Sequence, residues 1–390
     1  LSKPKPIILF VVNVGWFFLS HRLNIACAAR DAGFEVHVAT GRGAGVDEIC
    51  THGFIHHPLP LSRPGLGIFG EARSFLAIWH LFRRLRPDLV HLVTIKPVIY
   101  GGLAARLAKV PALVSAISGL GYVFLASGRV AEARRRLILA AYRLALGHPN
   151  ARVIFQNQDD AALLRSAVPE GHAALVRGSG VDLQRFVVER SPVGTPLIVL
   201  AARLLWDKGV GEFVEAARIL GDRRVDARFA VVGETDTENR AGIPSAVVEE
   251  WQREGVVEIW GRRDDMPEVF AQSAVVCLPS YREGLPKVLI EAAACARAIV
   301  TTDVPGCREI VRDRDNGLLV PVKDALALAD AVEELIRNPG LRERMGARGR
   351  ARVEAEFADE HVVRTTLGLY AELLPDEVSM PVSQPDREPL

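Results

Sequence analysis

The sequence predicts an α/β protein built of two doubly wound domains, and three features carry that expectation. The chain is 390 residues long, too long for one ordinary core and suited to two of nearly equal size. Short apolar runs alternate with helical patterns in two successive series, and continuous apolar runs of this kind belong in parallel sheets covered on both faces. Between the two series, residues 186–196 form a charged stretch carrying Pro and Gly, where the hinge is placed.

In the first series, a strand over 6–12 leads through a loop into a helix from about residue 20, closed by Gly33 and followed by a strand over 35–40. The rhythm continues with a helix over 69–85, a strand over 89–93, a helix after Pro97, a strand over 112–116, a basic helix over 129–146 and a strand over 153–155. The second series has strands over 197–201, 229–232, 257–260, 274–278, 298–301 and 318–320, then helical patterns over 325–337 and 341–357. The domains are therefore drawn at 1–188 and 189–358. A helix over 359–374 crosses back to the first, and 375–390 is a loose tail.

Hydrophobic residues make up 49% and charged residues 24%, a globular balance without a disordered tract. Cys27, Cys50, Cys277, Cys295 and Cys307 are scattered, form no CxxC, and are read as reduced, buried thiols. An apolar run follows lysines near the start but contains Asn13 and lacks a small-residue cleavage site. No segment of 18 uncharged apolar residues occurs, so a cytoplasmic protein without a membrane span is expected. Net charge is +1, yet residues 1–190 hold 23 Lys and Arg against 12 Asp and Glu, leaving 25 against 35 in the remainder. A positive half concentrates anions before contact, so it faces an anionic surface or substrate. Few aromatics and no recognised module argue against nucleic acid.

Neither half contains GxGxxG, GxxxxGK-S/T, HExxH or GxSxG, which argues against a nicotinamide dehydrogenase, a P-loop nucleotidase, a zinc protease and a serine hydrolase. Two loops instead follow strands of the second half, where open α/β sheets bind ligands: Ala202-Arg203-Leu204-Leu205-Trp206-Asp207-Lys208-Gly209 and Ser280-Tyr281-Arg282-Glu283-Gly284-Leu285-Pro286-Lys287. Arg203 and Lys208 are two permanent cations suited to gripping a diphosphate; salt bridges explain them equally well. Pro286 suits the first turn of a helix whose exposed amides at Gly284 and Leu285 would cradle an oxyanion. Glu291 falls about two turns down that helix, roughly 7 to 8 Å from its start, placed to reach a ribose while Glu283 faces a sugar. Two solvated carboxylates are the plain alternative.

These residues resemble the retaining glycosyltransferases of family 4, in the branch that assembles bacterial capsule, O-antigen and exopolysaccharides, over nearly the whole chain. Pro279 to Glu291 carries the EGLP and E-x7-E pattern, followed by Val304-Pro305-Gly306-Cys307-Arg308-Glu309. Arg203 and Lys208 match R-x4-K-G, and residues 178–186 (GSGVDLQRF) match the domain-linking motif. Thr94-Ile95-Lys96-Pro97 and Gly119-Leu120-Gly121 are similar to the capsule branch. The resemblance implies a GT-B fold, two doubly wound Rossmann-like domains facing across a cleft, the first binding acceptor and the second the nucleotide sugar. It implies that Arg203 and Lys208 hold the diphosphate, Glu291 binds the ribose and Glu283 contacts the donor sugar, with Gly284 and Leu285 ahead of Pro286 giving backbone contacts.

The activity so implied is transfer of an N-acetylhexosamine or hexose from a UDP-sugar donor to a polyprenyl-diphosphate-linked saccharide. Configuration is retained by a front-face displacement, with no cofactor and no metal, because the cations and a helix terminus replace a divalent ion. Asp159-Asp160 and Asp264-Asp265 are read as exposed acidic pairs. Two other classes share the fold. A nucleotide-sugar epimerase is disfavoured by EGLP with E-x7-E, and a non-catalytic nucleotide-sugar-binding partner by the presence of Glu283, Arg203 and Lys208.

The chain departs from the family pattern twice. Ser118 stands where many relatives place a histidine, which puts an imidazole role there in doubt; His91, near a strand end, is either a substitute or a structural histidine. Ala296 stands where relatives usually have Gly, tolerable if φ there is negative. On the acceptor side, Asn13-Val14-Gly15-Trp16-Phe17-Phe18-Leu19 forms a loop after the first strand, with Gly15 permitting close approach of phosphate or sugar and the aromatic run serving either a lipid-linked ligand or a hydrophobic plug. His21 and Arg22 follow at a helix N-terminus, and Arg22 and Lys96 are the candidates for acceptor phosphate. Arg129, Arg134, Arg135, Arg136 and Arg143, interleaved with leucines, suit peripheral association with the inner face of the cell membrane through its anionic lipids.

Overall fold

The computed structural model describes residues 4–61, 67–120, 128–189, 192, 194–236, 239 and 241–375. Gly121 and all but the first residue of the expected tail lie outside these. The chain divides into two compact units, residues 1–180 with 359–390 and residues 181–358, so the division falls at 180/181 where 188/189 was expected.

Unit 1 runs β1 (Ile7–Val11), α1 (Gly15–His21), α2 (Leu23–Asp31), β2 (Glu35–Thr40), α3 (Val46–Thr51), β3 (Ile55–Pro58), α4 (Gly67–Leu85), β4 (Leu89–Val93), α5 (Ile95–Ala108), β5 (Ala112–Ile117), α6 (Arg129–Leu146), β6 (Ala151–Phe155), α7 (Gln158–Leu164) and β7 (Ala173–Leu175). The seven strands are parallel in the order β3-β2-β1-β4-β5-β6-β7. Successive strand side chains face opposite ways. Ile8, Phe10, Leu89 and Val93 meet Ile25 and Ala29 of α2 on one face, while Leu9, Val11, Val90 and Leu92 meet Ile78 of α4, Val98 of α5 and Tyr142 of α6 on the other.

After the second unit the chain returns as the last helix, α15 (Asp359–Leu373), and completes this first core with Val362, Leu367 and Tyr370. Asn24 Nδ2 donates to Asp359 Oδ1 at 2.9 Å, and Arg152 pairs with Glu372 at 3.0 Å. Two strands have no counterpart in the sequence reading. β3 and β7 are sheet edges of four and three residues, and an edge strand needs no long apolar run.

The aromatic loop expected at 13–19 is largely helix, because α1 begins at Gly15. Phe18 is fully buried with its ring 5.8 Å from Phe10 and 6.0 Å from Phe54, and Phe17 stacks on His21 at 3.9 Å. The plug alternative therefore describes Phe18. His21 ends α1 rather than opening a helix, and Arg22 sits at the junction with α2 at φ −134°. Asp160 is fully buried, not exposed: its backbone N–H is capped by Asn157 Oδ1 at 2.7 Å and its carboxylate accepts from Asn157 Nδ2.

Unit 2 runs β8 (Leu197–Ala201), α8 (Val210–Asp222), β9 (Arg228–Val232), α9 (Ser245–Glu254), β10 (Glu258–Gly261), α10 (Met266–Gln272), β11 (Val275–Leu278), α11 (Lys287–Ala294), β12 (Ala298–Thr302), α12 (Cys307–Ile310), β13 (Gly317–Val320), α13 (Ala325–Arg337) and α14 (Pro339–Glu356). Its parallel sheet has the order β10-β9-β8-β11-β12-β13. One face packs Leu200, Val275 and Val300 on Phe213 of α8 and Val332 of α13; the other packs Val276, Leu278 and Ile299 on Ile290 of α11 and Val353 of α14. Ala296 adopts φ 54°, so the condition of a negative φ fails and the alanine sits in the left-handed region. Cys277, Cys295 and Cys307 are buried, Cys27 half-buried, and Cys50 exposed, against the expectation for the last.

Candidate functional site

The strand order of unit 2 reverses between β8 and β11, and ligands of open parallel sheets bind past the carboxyl ends of strands at such a reversal. The two motif loops leave these two strands. Gly209 explains their mutual fit. Its φ is 73°, and a Cβ there would stand 2.1 Å from the Pro279 carbonyl oxygen, so the turn carrying Lys208 can lie against the end of β11 only with glycine. Tyr281 N–H then donates to Asp207 O at 2.9 Å, tying one loop to the other.

Lys208 Nζ consequently meets Glu283 Oε1 at 2.5 Å, and Ser280 Oγ donates to the same oxygen at 2.7 Å. Glu283 is 10% exposed and Lys208 21%, so the pair is poorly solvated and strengthened accordingly. Behind it, Thr302 Oγ1 donates to Ser280 O, and Tyr281 Oη donates to Glu212 Oε1 at 2.6 Å with the Lys323 ammonium 4.9 Å from its ring centre. Gly306, at φ 80°, lets its turn press on Gly284, whose carbonyl would lie 2.4 Å from a Cβ. Burial, with the Glu283 carboxylate adding to it, pushes the Cys307 thiol up to about 12, so this wall stays neutral.

Arg203 is held elsewhere. Its Nη1 lies 2.6 Å from Asp236 Oδ2, on the loop after β9. Sequence reasoning missed Asp236, which belongs to no motif and reaches Arg203 only through the pairing of β8 with β9. Helix α11 begins at Lys287, with Pro286 as its N-cap instead of in its first turn. Glu291 is thus one turn along the helix, 3.7 Å from Lys287 Nζ. Leu285 turns its side chain into the core beside Ile290 and Val304. Among the described residues no group of three or more His, Cys, Asp or Glu is gathered as metal ligands.

Of the unit 1 candidates, Arg22 and Ser118 are in contact and His91 lies within reach of the Arg22 charge, whereas Gly15 and Lys96 have other neighbours. The space beside Gly15 is filled by the chain itself, since a Cβ there would be 2.8 Å from Ala44 O. Arg22 is 2% exposed, donating to His21 O at 2.7 Å, Ser179 Oγ at 3.3 Å and Ser118 Oγ at 3.4 Å; desolvation lowers its guanidinium to about 10. His91 is not near a strand end. It lies in the middle of β4, 1% exposed, stacked on Phe10 and 2.5 Å from Tyr370 Oη. Desolvation, with the Arg22 charge adding to it, holds it well below the ordinary histidine range. Lys96 pairs with Glu71 at 2.8 Å, whose second oxygen accepts from Tyr100 Oη. Asp264 and Asp265 pair with Arg262 and Arg263.

Two family profiles match the chain: Glycosyl transferase 4-like over residues 7–157 and Glycosyl transferases group 1 over 195–338. The N,N'-diacetylbacillosaminyl-diphospho-undecaprenol alpha-1,3-N-acetylgalactosaminyltransferase of Campylobacter jejuni is 28% identical over 375 residues, covering 93% of this chain and 97% of its own. The capsular polysaccharide biosynthesis glycosyltransferase CapM of Staphylococcus aureus is 23% identical over 354 residues, covering 87% and 90%. Among solved structures, HepE of Anabaena in complex with UDP and glucose is similar with a TM-score of 0.75 at 20% identity, covering 95% of this chain and 99% of its own, a likeness of fold. Between them the two profiles take in six of the seven strands of the first sheet and all six of the second, and the chain is a glycosyltransferase of GT-B fold that matches the Glycosyl transferase 4-like and group 1 families.

Proposed function

We propose that this protein is a retaining glycosyltransferase that moves an N-acetylhexosamine or hexose from a UDP-sugar onto a polyprenyl-diphosphate-linked saccharide, without a metal. The observation that carries it is the Lys208, Glu283 and Ser280 cluster at the strand-order reversal of unit 2, with Arg203 on the same turn. On donor binding the Lys208 to Glu283 pair opens. Lys208 and Arg203 turn to the diphosphate, and Glu283 is freed to accept from a sugar hydroxyl. As the bond from the anomeric carbon to the phosphate oxygen breaks, charge grows on the leaving diphosphate, where two fixed cations stabilise it. The acceptor oxygen bonds to the same face of the sugar and its proton passes to the departing phosphate oxygen. Glu291 is assigned to the ribose and the Gly284 and Leu285 backbone to the donor.

The Campylobacter relative, named for a diphospho-undecaprenol substrate and N-acetylgalactosamine transfer, supports a lipid-linked acceptor and a UDP-N-acetylhexosamine donor. Unit 1 is the acceptor-binding half and α6 its membrane contact. On α6, Leu137 is 71% and Leu144 58% exposed beside the exposed Arg134 and Arg143, a face suited to anionic headgroups. No helix of the described residues is long and apolar enough to cross a membrane.

The test is incubation with UDP-hexoses and UDP-N-acetylhexosamines and an undecaprenyl-diphosphate saccharide in excess EDTA, with the product's linkage read by NMR. An α-linked product is expected. Glu283→Ala is expected to lower turnover by about 10²- to 10³-fold while UDP affinity stays within a few fold. Unchanged turnover in that variant, or inversion in the product, would refute the reading.

A further inference from the structure

The arginine of the clamp already has an anion. Asp236 Oδ2 sits 2.6 Å from Arg203 Nη1, with the Asp236 side chain 14% exposed and that of Arg203 42% exposed. The carboxylate is delivered on a fixed frame. Leu204 N–H donates to Glu234 O at 2.9 Å, Trp206 N–H to Ala241 O at 2.8 Å, and Ile243 N–H to Leu204 O at 3.0 Å, so the loop after β9 is laced along the clamp turn on both sides of Asp236. Two glycines make the lacing possible. A Cβ on Gly233 would stand 1.8 Å from Ala202 O, and one on Gly242 would stand 2.4 Å from Asp236 O. Both clamp cations are therefore paired to carboxylates in the same unit, Lys208 with Glu283 and Arg203 with Asp236.

A guanidinium binds carboxylate and phosphate through the same planar donors, so the two anions compete for one group. We propose that Asp236 is a resident counter-ion of the donor site: it holds Arg203 when no nucleotide is bound, yields it to the diphosphate, and reclaims it as the nucleoside diphosphate product leaves. The proposal rests on the diphosphate reading of this site. An exposed ion pair of this kind is worth at most about fivefold in an equilibrium constant, so it slows donor binding little. A diphosphate that reaches both Arg203 and Lys208 displaces the carboxylate. A nucleoside monophosphate, with one phosphoryl group to offer, gains less from the same exchange. Asp236 thus taxes the diphosphate slightly and speeds its departure, a step that limits turnover in many transferring enzymes.

The experiment is calorimetric titration of the full chain with UDP and with UMP, in wild type, Asp236→Asn, Arg203→Ala, the double variant, and Glu234→Gln as a charge-matched control on the same loop. Asp236→Asn is expected to tighten UDP by about two- to fivefold and UMP by less, widening the ratio between them. The gain is expected to vanish in the Arg203→Ala background, where the pair no longer exists, and Glu234→Gln is expected to leave both affinities unchanged. Weaker UDP binding in Asp236→Asn would overturn the proposal and make Asp236 a residue that orients Arg203. An equal gain in the Arg203→Ala background, or the same gain from Glu234→Gln, would also overturn it, by reducing the effect to net charge. A wild-type protein that binds no UDP would overturn the diphosphate reading itself, an outcome separate from wild-type binding that ignores Asp236.

Discussion

Gly209 and Ala296 sit in the same backbone region with different residues. At Gly209 a φ of 73° coincides with a carbonyl 2.1 Å from any Cβ, so no other residue fits. At Ala296 the φ is 54°, and the side chain is carried at the expense of left-handed strain, about 1 to 2 kcal/mol for a non-glycine residue. Part of this is offset because alanine has fewer unfolded conformations to lose. Ala296→Gly is therefore expected to stabilise the protein by about 0.5 to 1 kcal/mol, read as a higher denaturant midpoint with unchanged slope. A lower midpoint would show that the alanine methyl contributes more than the strain costs. Arg203, Lys208 and Glu283 are legible in the sequence as residue types at motif spacing. That Lys208 closes on Glu283, and Arg203 on Asp236, is not, because those partners are 75 and 33 positions away and are chosen by strand order.

Helix α15 shows how an element far along the chain completes the first core. Tyr370 brings a hydroxyl to His91 beneath the sheet, where both side chains are at most 1% exposed. Among the described residues His91 Nε2 has no hydrogen-bond partner, so removing the tyrosine hydroxyl would leave the ring without one. Tyr370→Phe is expected to destabilise unit 1 by about 1 to 3 kcal/mol and to leave the UDP affinity of unit 2 unchanged, measured by chemical unfolding and by titration. A loss of UDP affinity with unchanged stability would contradict this structural assignment of His91. Elements buried on both faces, such as β1, β4, β5, β8 and β11, are readable as continuous apolar runs. The edges β3 and β7 are not, since burial on one side leaves a weak pattern. Nor is the start of α1, because an aromatic run after a strand reads as loop until Phe18 is seen against Phe54.

Across the whole molecule the ten histidines all fall in unit 1, and none lies between residues 181 and 358. Among the described residues burial lowers His56, His57, His91, His148 and His172, with His57 held at about 4. A histidine depressed in the fold stays neutral while the unfolded chain, with an ordinary value near 6.5, takes up protons, so the unfolded state gains as pH falls below about 6.5. Acidification from pH 7 to 5 is expected to loosen unit 1 before unit 2, seen as earlier loss of hydrogen-exchange protection in β4, β5 and α15 than in β8 and β11. Loss beginning in unit 2 would contradict it. The charge division runs the same way, with the basic half carrying the proposed acceptor and membrane contacts and the acidic half carrying the proposed donor clamp. Everything proposed for the donor turns on that clamp, and calorimetric titration with UDP in excess EDTA, on wild type and on Arg203→Ala/Lys208→Ala, tests it most directly. Metal-free UDP binding by the wild type is predicted, and none by a double variant that remains folded. UDP binding that needs a divalent ion, or that survives loss of both cations, would contradict the clamp.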